Sequence, residues 1–199
     1  MIKIDSKKKL NEFLKVESKN YNLKRSGFPI FGFSEDQVLY RFNYLLRKLE
    51  YYTNCNKKIR KLITKLIYIH YQRKYLMFIP INSFDIGLRF IHIGPRMVNG
   101  SAVVGKNFIM HMNTCIVAGG NNDISPIIGD NVIMGISSIV LGEARVGNNT
   151  AIGAGAVVNK DFSEGNMTIA GVPAKKISNN TRESWKKENR KKISANEKN

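Results

Sequence analysis

The sequence predicts an α+β chain: a small helical unit followed by a coil of short parallel strands. Three observations carry that reading. One phase of six runs through Ile86, His92, Val98, Val104, Met110, Ile116, Asn122, Ile128, Met134, Val140, Val146, Ile152 and Val158, and all but His92 and Asn122 are aliphatic. Four places on in the hexads stand compact residues, Ala102, Thr114, Val132, Ser138, Ala144, Thr150 and Ala156, and Gly follows the aliphatic position at 87, 105, 129, 135, 147 and 153. Before the coil, apolar residues recur instead at helical spacing. Neither a helix (period 3.6) nor a plain strand (period 2) holds a phase of six over this length, whereas stacked rungs with one flat side per hexad do. An ordinary β-sandwich has no reason to keep its phase across turns.

In chain order, residues 3–19 place Leu10, Phe13, Leu14 and Val16 among lysines and read as a short amphipathic helix. Residues 20–33 hold Gly27, Pro29 and Gly32 and read as a loop with aromatic anchors. Ser34 opens a second helix: it is a good N-cap, Gln37 completes a capping box, and Glu35 and Asp36 suit the positive end of the helix dipole. Val38, Leu39, Phe42, Leu45, Leu46 and Leu49 form its apolar face and Asn54 its stop. A third helix over about 57–76 carries Ile59, Leu62, Ile63, Leu66, Ile67 and Ile69 on one side, with Lys57, Lys58, Arg60, Lys61 and Lys65 on the other. Its apolar stripe is expected to pack inward.

Pro80 separates helices from coil, giving a helical unit over 1–78, the coil over 79–177 and a polar tail over 178–199. Between Ile116 and Ile128 the hexads thin to Val-Ala-Gly-Gly-Asn-Asn-Asp-Ile-Ser-Pro, rich in turn formers and expected to project as a loop. Residues 159–165 are expected to close the coil and 170–175 to cap it. The tail, with its one Trp185, reads as a frayed helix or disordered segment.

Ile128-Gly129-Asp130-Asn131-Val132-Ile133-Met134-Gly135, Ile152-Gly153-Ala154-Gly155-Ala156-Val157-Val158 and Ala170-Gly171-Val172-Pro173-Ala174-Lys175 resemble the hexapeptide-repeat acyltransferases. The similarity is to the serine O-acetyltransferase branch and its polysaccharide-acetylating relatives, over roughly 79–177. It implies a left-handed parallel β-helix, an exception to right-handed crossovers. It also implies a homotrimer with acetyl-CoA as co-substrate in a groove between subunits; the sequence does not choose whether the helical unit packs on the coil, pairs trimers into a higher oligomer or touches a membrane.

Of three histidines, His70 lies on the third helix and reads as a surface or packed side chain. His92 replaces an aliphatic residue in the frame, where an imidazole is costly unless partnered. The resemblance makes it the general base that deprotonates an acceptor hydroxyl attacking the thioester, with a backbone N–H stabilising the oxyanion. Strict phase would turn His92 inward, so the first coil must be irregular. For the carboxylate that should hold its ring, Asp85 and Asn82 stand nearest, Asn82 also facing the acceptor. By the same resemblance His111 lines the acceptor pocket, Ala118, Ile136 and Ala154 face the pantetheine arm, and Lys160 and Lys175 meet the nucleotide phosphates.

The serine-specific enzymes have Asp before the histidine, where Ile91 stands, and Arg-His where Ser125-Pro126 stand. Those missing charges point to a hydroxyl of a sugar or polysaccharide precursor, with serine acetylation for cysteine biosynthesis as the alternative. A zinc anhydrase on such a coil needs three histidines. Only His92 and His111 lie in this one, so no metal is expected.

The net charge of +17 is uneven. Residues 1–76 hold 18 Lys+Arg against 6 Asp+Glu, residues 77–177 hold 7 against 6, and residues 178–199 hold 7 against 3. A nearly neutral coil argues against nucleic acid as a partner. The basic flanks reflect a Lys-, Asn- and Ile-rich composition, with weak attraction of the helical arm to an anionic membrane surface as the competing reading. Two distant cysteines, Cys55 and Cys115, and no apolar run after the first lysines suit a cytoplasmic protein.

Overall fold

The computed structural model describes residues 3–29, 33–120 and 124–185. Three helices lead: α1 (Lys7–Asn20), α2 (Glu35–Asn54) and α3 (Lys58–Tyr75). Both halves of the α2 capping box are made, Ser34 Oγ accepting from Gln37 N–H and Gln37 Oε1 accepting from Ser34 N–H. The helix therefore starts at a fixed residue, which matters for Glu35 below. No helix among the described residues is long and apolar enough to cross a membrane.

The rest is a left-handed parallel β-helix with three faces. The first face stacks β1 (Met77–Phe78), β3 (Arg96–Val98), β6 (Thr114–Val117), β9 (Ile139–Leu141) and β12 (Val157–Val158). The second stacks β4 (Val103–Val104), β7 (Ile127–Ile128) and β10 (Arg145–Val146), extended by single bridges at Phe84 and Phe162. The third stacks β2 (Arg89–Ile91), β5 (Ile109–His111), β8 (Ile133–Met134), β11 (Ala151–Ile152) and β13 (Thr168–Ala170), against which β14 (Lys175–Ser178) runs antiparallel.

From Val98 onward the aliphatic frame is the interior: Val98, Val104, Met110, Ile116, Ile128, Met134, Val140, Val146, Ile152 and Val158 are all buried. Register gives the coil length. Val98 pairs with Ile116 and Val140 with Val158, 18 residues on, whereas Ile116 pairs with Val140 across 24. The loop after Ile116 thus inserts one whole hexad and leaves the phase intact. Compact corner residues are buried as expected, and their hydroxyls close the turns: Thr114, Ser138 and Thr150 donate to the carbonyls three residues back at 2.7–2.8 Å. On the edge between second and third faces, Asn107, Asn131, Asn149 and Asn166 adopt φ of 51–57° and pass side-chain hydrogen bonds down the stack. Asn tolerates the left-handed conformation that bulkier residues resist.

Three expectations are corrected. The coil does not close at 159–165: it makes a further turn through Phe162 and β13, and antiparallel β14 provides the cap. The first coil is out of phase with the others, because its interior residues are Phe84 and Phe90, not Ile86 and His92. The stripe of α3 does not pack inward. Ile59, Leu62, Ile63, Leu66 and Ile67 are exposed, while Thr64 and Tyr68 are buried and Tyr71 and Tyr75 pack on the core. Tyr68 supplies both ring area and an Oη–H donated to Ile79 O at 2.7 Å, so the tyrosine side wins the interior. Most of the tail, 186–199, lies outside the described residues; before it stands a short 3-10 turn, Arg182–Trp185.

Helices and coil share one core. Arg47 of α2 is fully buried and donates to Glu17 of α1 (2.7 Å), Glu50 (2.9 Å) and the carbonyls of Phe84 and Asp85 (2.9 and 2.8 Å). Glu17 in turn accepts from the N–H groups of Gly87 and Leu88 at 3.2 Å. This network fixes α2 across the first coil.

Candidate active site

His92 stands on the edge where the third face turns into the first. Phe90 and Val98, consecutive interior residues, are eight apart, whereas Met110–Ile116, Met134–Val140 and Ile152–Val158 are six apart. The two extra residues widen the turn at 92–95 and bring His92 out, with φ 61° and a side chain 57% exposed. The irregularity that an outward imidazole requires is therefore an insertion.

A widened turn leaves carbonyls aimed inward, and Arg96 meets them. It occupies the corner position that Thr114 fills in the next coil, and it is buried. Its guanidinium donates to the carbonyls of Ile91 and His92, to Gly94 O at 3.0 Å and to Met110 O at 3.4 Å, and lies 5.3 Å from the Phe90 ring centroid. Burial lowers its pKa to about 10, so it remains a cation at neutral pH.

The carboxylate at His92 is Glu35, the first residue of α2. Its Oε2 lies 3.1 Å from His92 Nδ1, and its Oε1 accepts the Ile93 N–H at 2.8 Å. One carboxylate thereby grips the ring and the backbone beside it. The Ile93 N–H, with His92, holds Glu35 below the usual carboxylate range against an opposing effect of burial. An ionised carboxylate only accepts, so Nδ1 carries the hydrogen, and in the neutral ring Nε2 then presents its lone pair away from Glu35. His111, paired in register with Ile91, sits one coil below, its ring centroid 6.3 Å from that of His92 in edge-to-face geometry. Desolvation, then His92, Arg96 and Arg89, lower its pKa and favour the neutral ring.

The remaining expected residues separate. Asp85 does not meet His92: its backbone lies over Arg47 and its Oδ1 accepts from Ile86 N–H at 2.7 Å. Asn82 is tied to the far end of α2, exchanging amide hydrogen bonds with Asn54 at 3.0 and 3.1 Å. Ile136 and Ala154 are exposed on the His92 edge, two and three coils below it, about 10 and 14 Å away at the usual strand spacing. Ala118 and Lys160 belong to the next edge, between first and second faces. Lys160 there lines a cleft of ≈ 380 Å³ with Ser125, Glu143 and Arg145. Lys175 is exposed at the start of β14. Among the described residues, no three His, Cys, Asp or Glu side chains are grouped to hold a metal ion.

Sequence reasoning missed Glu35 and Arg96. Glu35 is 57 residues from His92 and reads locally as a dipole residue in a good helix start. Arg96 did leave a signal, a large cation at a hexad position otherwise kept compact.

No family model matches the chain. Over 93 residues it is 33% identical to a serine acetyltransferase of Synechococcus elongatus, covering 44% of this chain and 37% of that one. Over 116 residues it is 30% identical to a serine acetyltransferase of Buchnera aphidicola, covering 55% and 44%. The chain thus spans less than half the length of these curated relatives. The crystal structure of a serine acetyltransferase from Brucella abortus superposes with a TM-score of 0.65 at 20% identity, covering 88% of this chain and 72% of that one, and that enzyme has also been solved in complex with coenzyme A. The hexad coil and its helical preface thus have the fold of the serine acetyltransferases, and the chain is similar in sequence to two of these hexapeptide-repeat enzymes over about half its length.

Proposed function

We propose that this chain is an acetyl-CoA-dependent O-acetyltransferase with His92 as general base and Glu35 as the residue that positions it. The observation that carries the reading is the Glu35–His92–Ile93 contact on a turn widened to expose the ring. Nε2 accepts the proton of an acceptor hydroxyl as its oxygen attacks the thioester carbonyl, and the imidazolium returns that proton to the departing thiolate. Glu35 stabilises the imidazolium between the two transfers and keeps the reactive nitrogen free.

Support for the donor comes from the serine acetyltransferase solved with coenzyme A and from the edge beneath His92. Exposed Ile136 and Ala154 there offer a run of low relief for a pantetheine arm. The outer side of the first face, with Phe78 and Met97 about half exposed and Ile139 and Val157 half-buried, is apolar and suits packing of further copies into a trimer. In such a trimer the His92 edge of one copy and the Lys160 edge of the next border one groove, which reconciles the separation of the expected donor contacts.

For the acceptor, the named relatives favour L-serine, the reading that the sequence alone ranks second. A neutral sugar hydroxyl keeps one specific argument, the uncharged Ile91 and Ser125-Pro126 at positions where serine's charges would need partners. Thiol release from acetyl-CoA, measured with L-serine and with a panel of sugars, tests both. Turnover with either class that falls at least about a hundredfold in His92→Ala, with coenzyme A still bound, is the expected result. Near-normal turnover in that variant would refute the assignment.

A further inference from the structure

The outward stripe of α3 is unexplained by catalysis. Ile59, Leu62, Ile63 and Leu66 follow i, i+3, i+4, i+7 spacing and are 54–77% exposed, with Ile67 beside them at 42%. A helix earns such a stripe by burying it, yet α2 takes the opposite, tyrosine-lined side. At 3.6 residues per turn, Lys58 and Lys65 run along one border of the stripe and Arg60 and Lys74 along the other. The helix contains no Asp or Glu, and none of its cations forms a salt bridge with a described residue.

We infer that this face docks the protein onto an anionic lipid surface. Aliphatic tips flanked by long cationic side chains match the headgroup boundary of a bilayer: the tips enter the acyl margin while the ammonium groups reach lipid phosphates. Charge selects this occupant over a second copy of the chain, since two such faces together would align lysine rows with no carboxylate between them. Nucleic acid would meet the cations and leave five aliphatic side chains without a counterpart. The stripe occupies the half of α3 that follows the C-terminal end of α2, about 30 Å along that helix from Glu35, whereas the other end of α3 returns to the first coil, where Leu76 O accepts from Arg96 N–H at 2.9 Å.

Sedimentation of the full chain with vesicles tests the inference independently of any activity. With phosphatidylcholine vesicles containing about one-third phosphatidylglycerol, binding at least about tenfold above that to pure phosphatidylcholine is expected, weakening as salt rises. The double variant Leu62→Asp/Leu66→Asp should lose about tenfold or more of that binding while keeping its thermal melt, because both side chains are already in solvent. Lys58→Glu/Lys65→Glu, which leaves the stripe untouched, should weaken it similarly. Equal binding to neutral and anionic vesicles, or binding insensitive to both double variants, overturns the inference. So does a fall in the lipid-free mass of the aspartate variant by light scattering, which would assign the face to contacts between copies.

Discussion

Replacing Glu35 separates positioning from mere support, because its two oxygens have different partners. In Glu35→Gln the single amide oxygen takes the Ile93 N–H, now 2.8 Å from Oε1, and the amide NH2 then faces His92 Nδ1. Nδ1 must become the acceptor, which moves the imidazole hydrogen to Nε2, the nitrogen that the proposed general base needs bare. Glu35→Ala imposes no tautomer and removes only the charge. Charge centres about 4 Å apart interact by about 1 kcal/mol in water and about 4 at the dielectric of a protein surface. With the His92 and Glu35 side chains 57% and 47% exposed, the lower part of that range applies, about 1.4 kcal/mol or tenfold in kcat. The expected order is therefore wild type, then Glu35→Ala about tenfold slower, then Glu35→Gln about a hundredfold slower. Thiol release from acetyl-CoA at saturating acceptor measures it, with the KM for acetyl-CoA and the thermal melt expected to stay unchanged. If Glu35→Gln is as active as Glu35→Ala or more so, the carboxylate does not set the tautomer and the reasoning fails.

His111 has a lowered pKa from burial, so between that value and the ordinary imidazole value the unfolded chain binds more protons than the native one. Stability should therefore fall as pH drops through that window, and His111→Gln should flatten the dependence in melts recorded at successive pH values. Arg47→Ala would strand the Glu17 carboxylate in the core, and chemical denaturation should report a loss of about 3–5 kcal/mol. Lys160→Ala should raise the KM for acetyl-CoA and leave that of the acceptor unchanged, as expected of an ammonium near the nucleotide phosphates.

What was legible in the sequence is what repeats. The interior of the coil from Val98 to Val158 follows from period alone, including the insertion after Ile116, because a whole added hexad leaves the phase intact. The start of α2 was equally legible, since its capping box is a contact between neighbours. The slip in the first coil was hidden because Ile86 happens to be aliphatic in the later frame, while the true interior, Phe84 and Phe90, keeps a six-residue spacing of its own. The stripe of α3 misled for a different reason. Periodicity identifies the apolar side of a helix but not the partner it faces, and here tyrosines that bring hydrogen-bonding hydroxyls occupy the inside.

The site combines the two cases. A repeat can specify where a ring leaves the stack, but it cannot specify what meets the ring outside, because that partner comes from another element. Here the buried Arg47 network holds α2 across the first coil, and the capping box begins the helix at Glu35, so the carboxylate reaches the turn that Arg96 braces. The insertion at 92–95, the cation beneath it and the helix start above it make one unit, each part without purpose if the others are removed. Restoring the six-residue turn by deleting two residues there should therefore abolish turnover even with His92 retained, because the ring would lose both its exposure and its carboxylate.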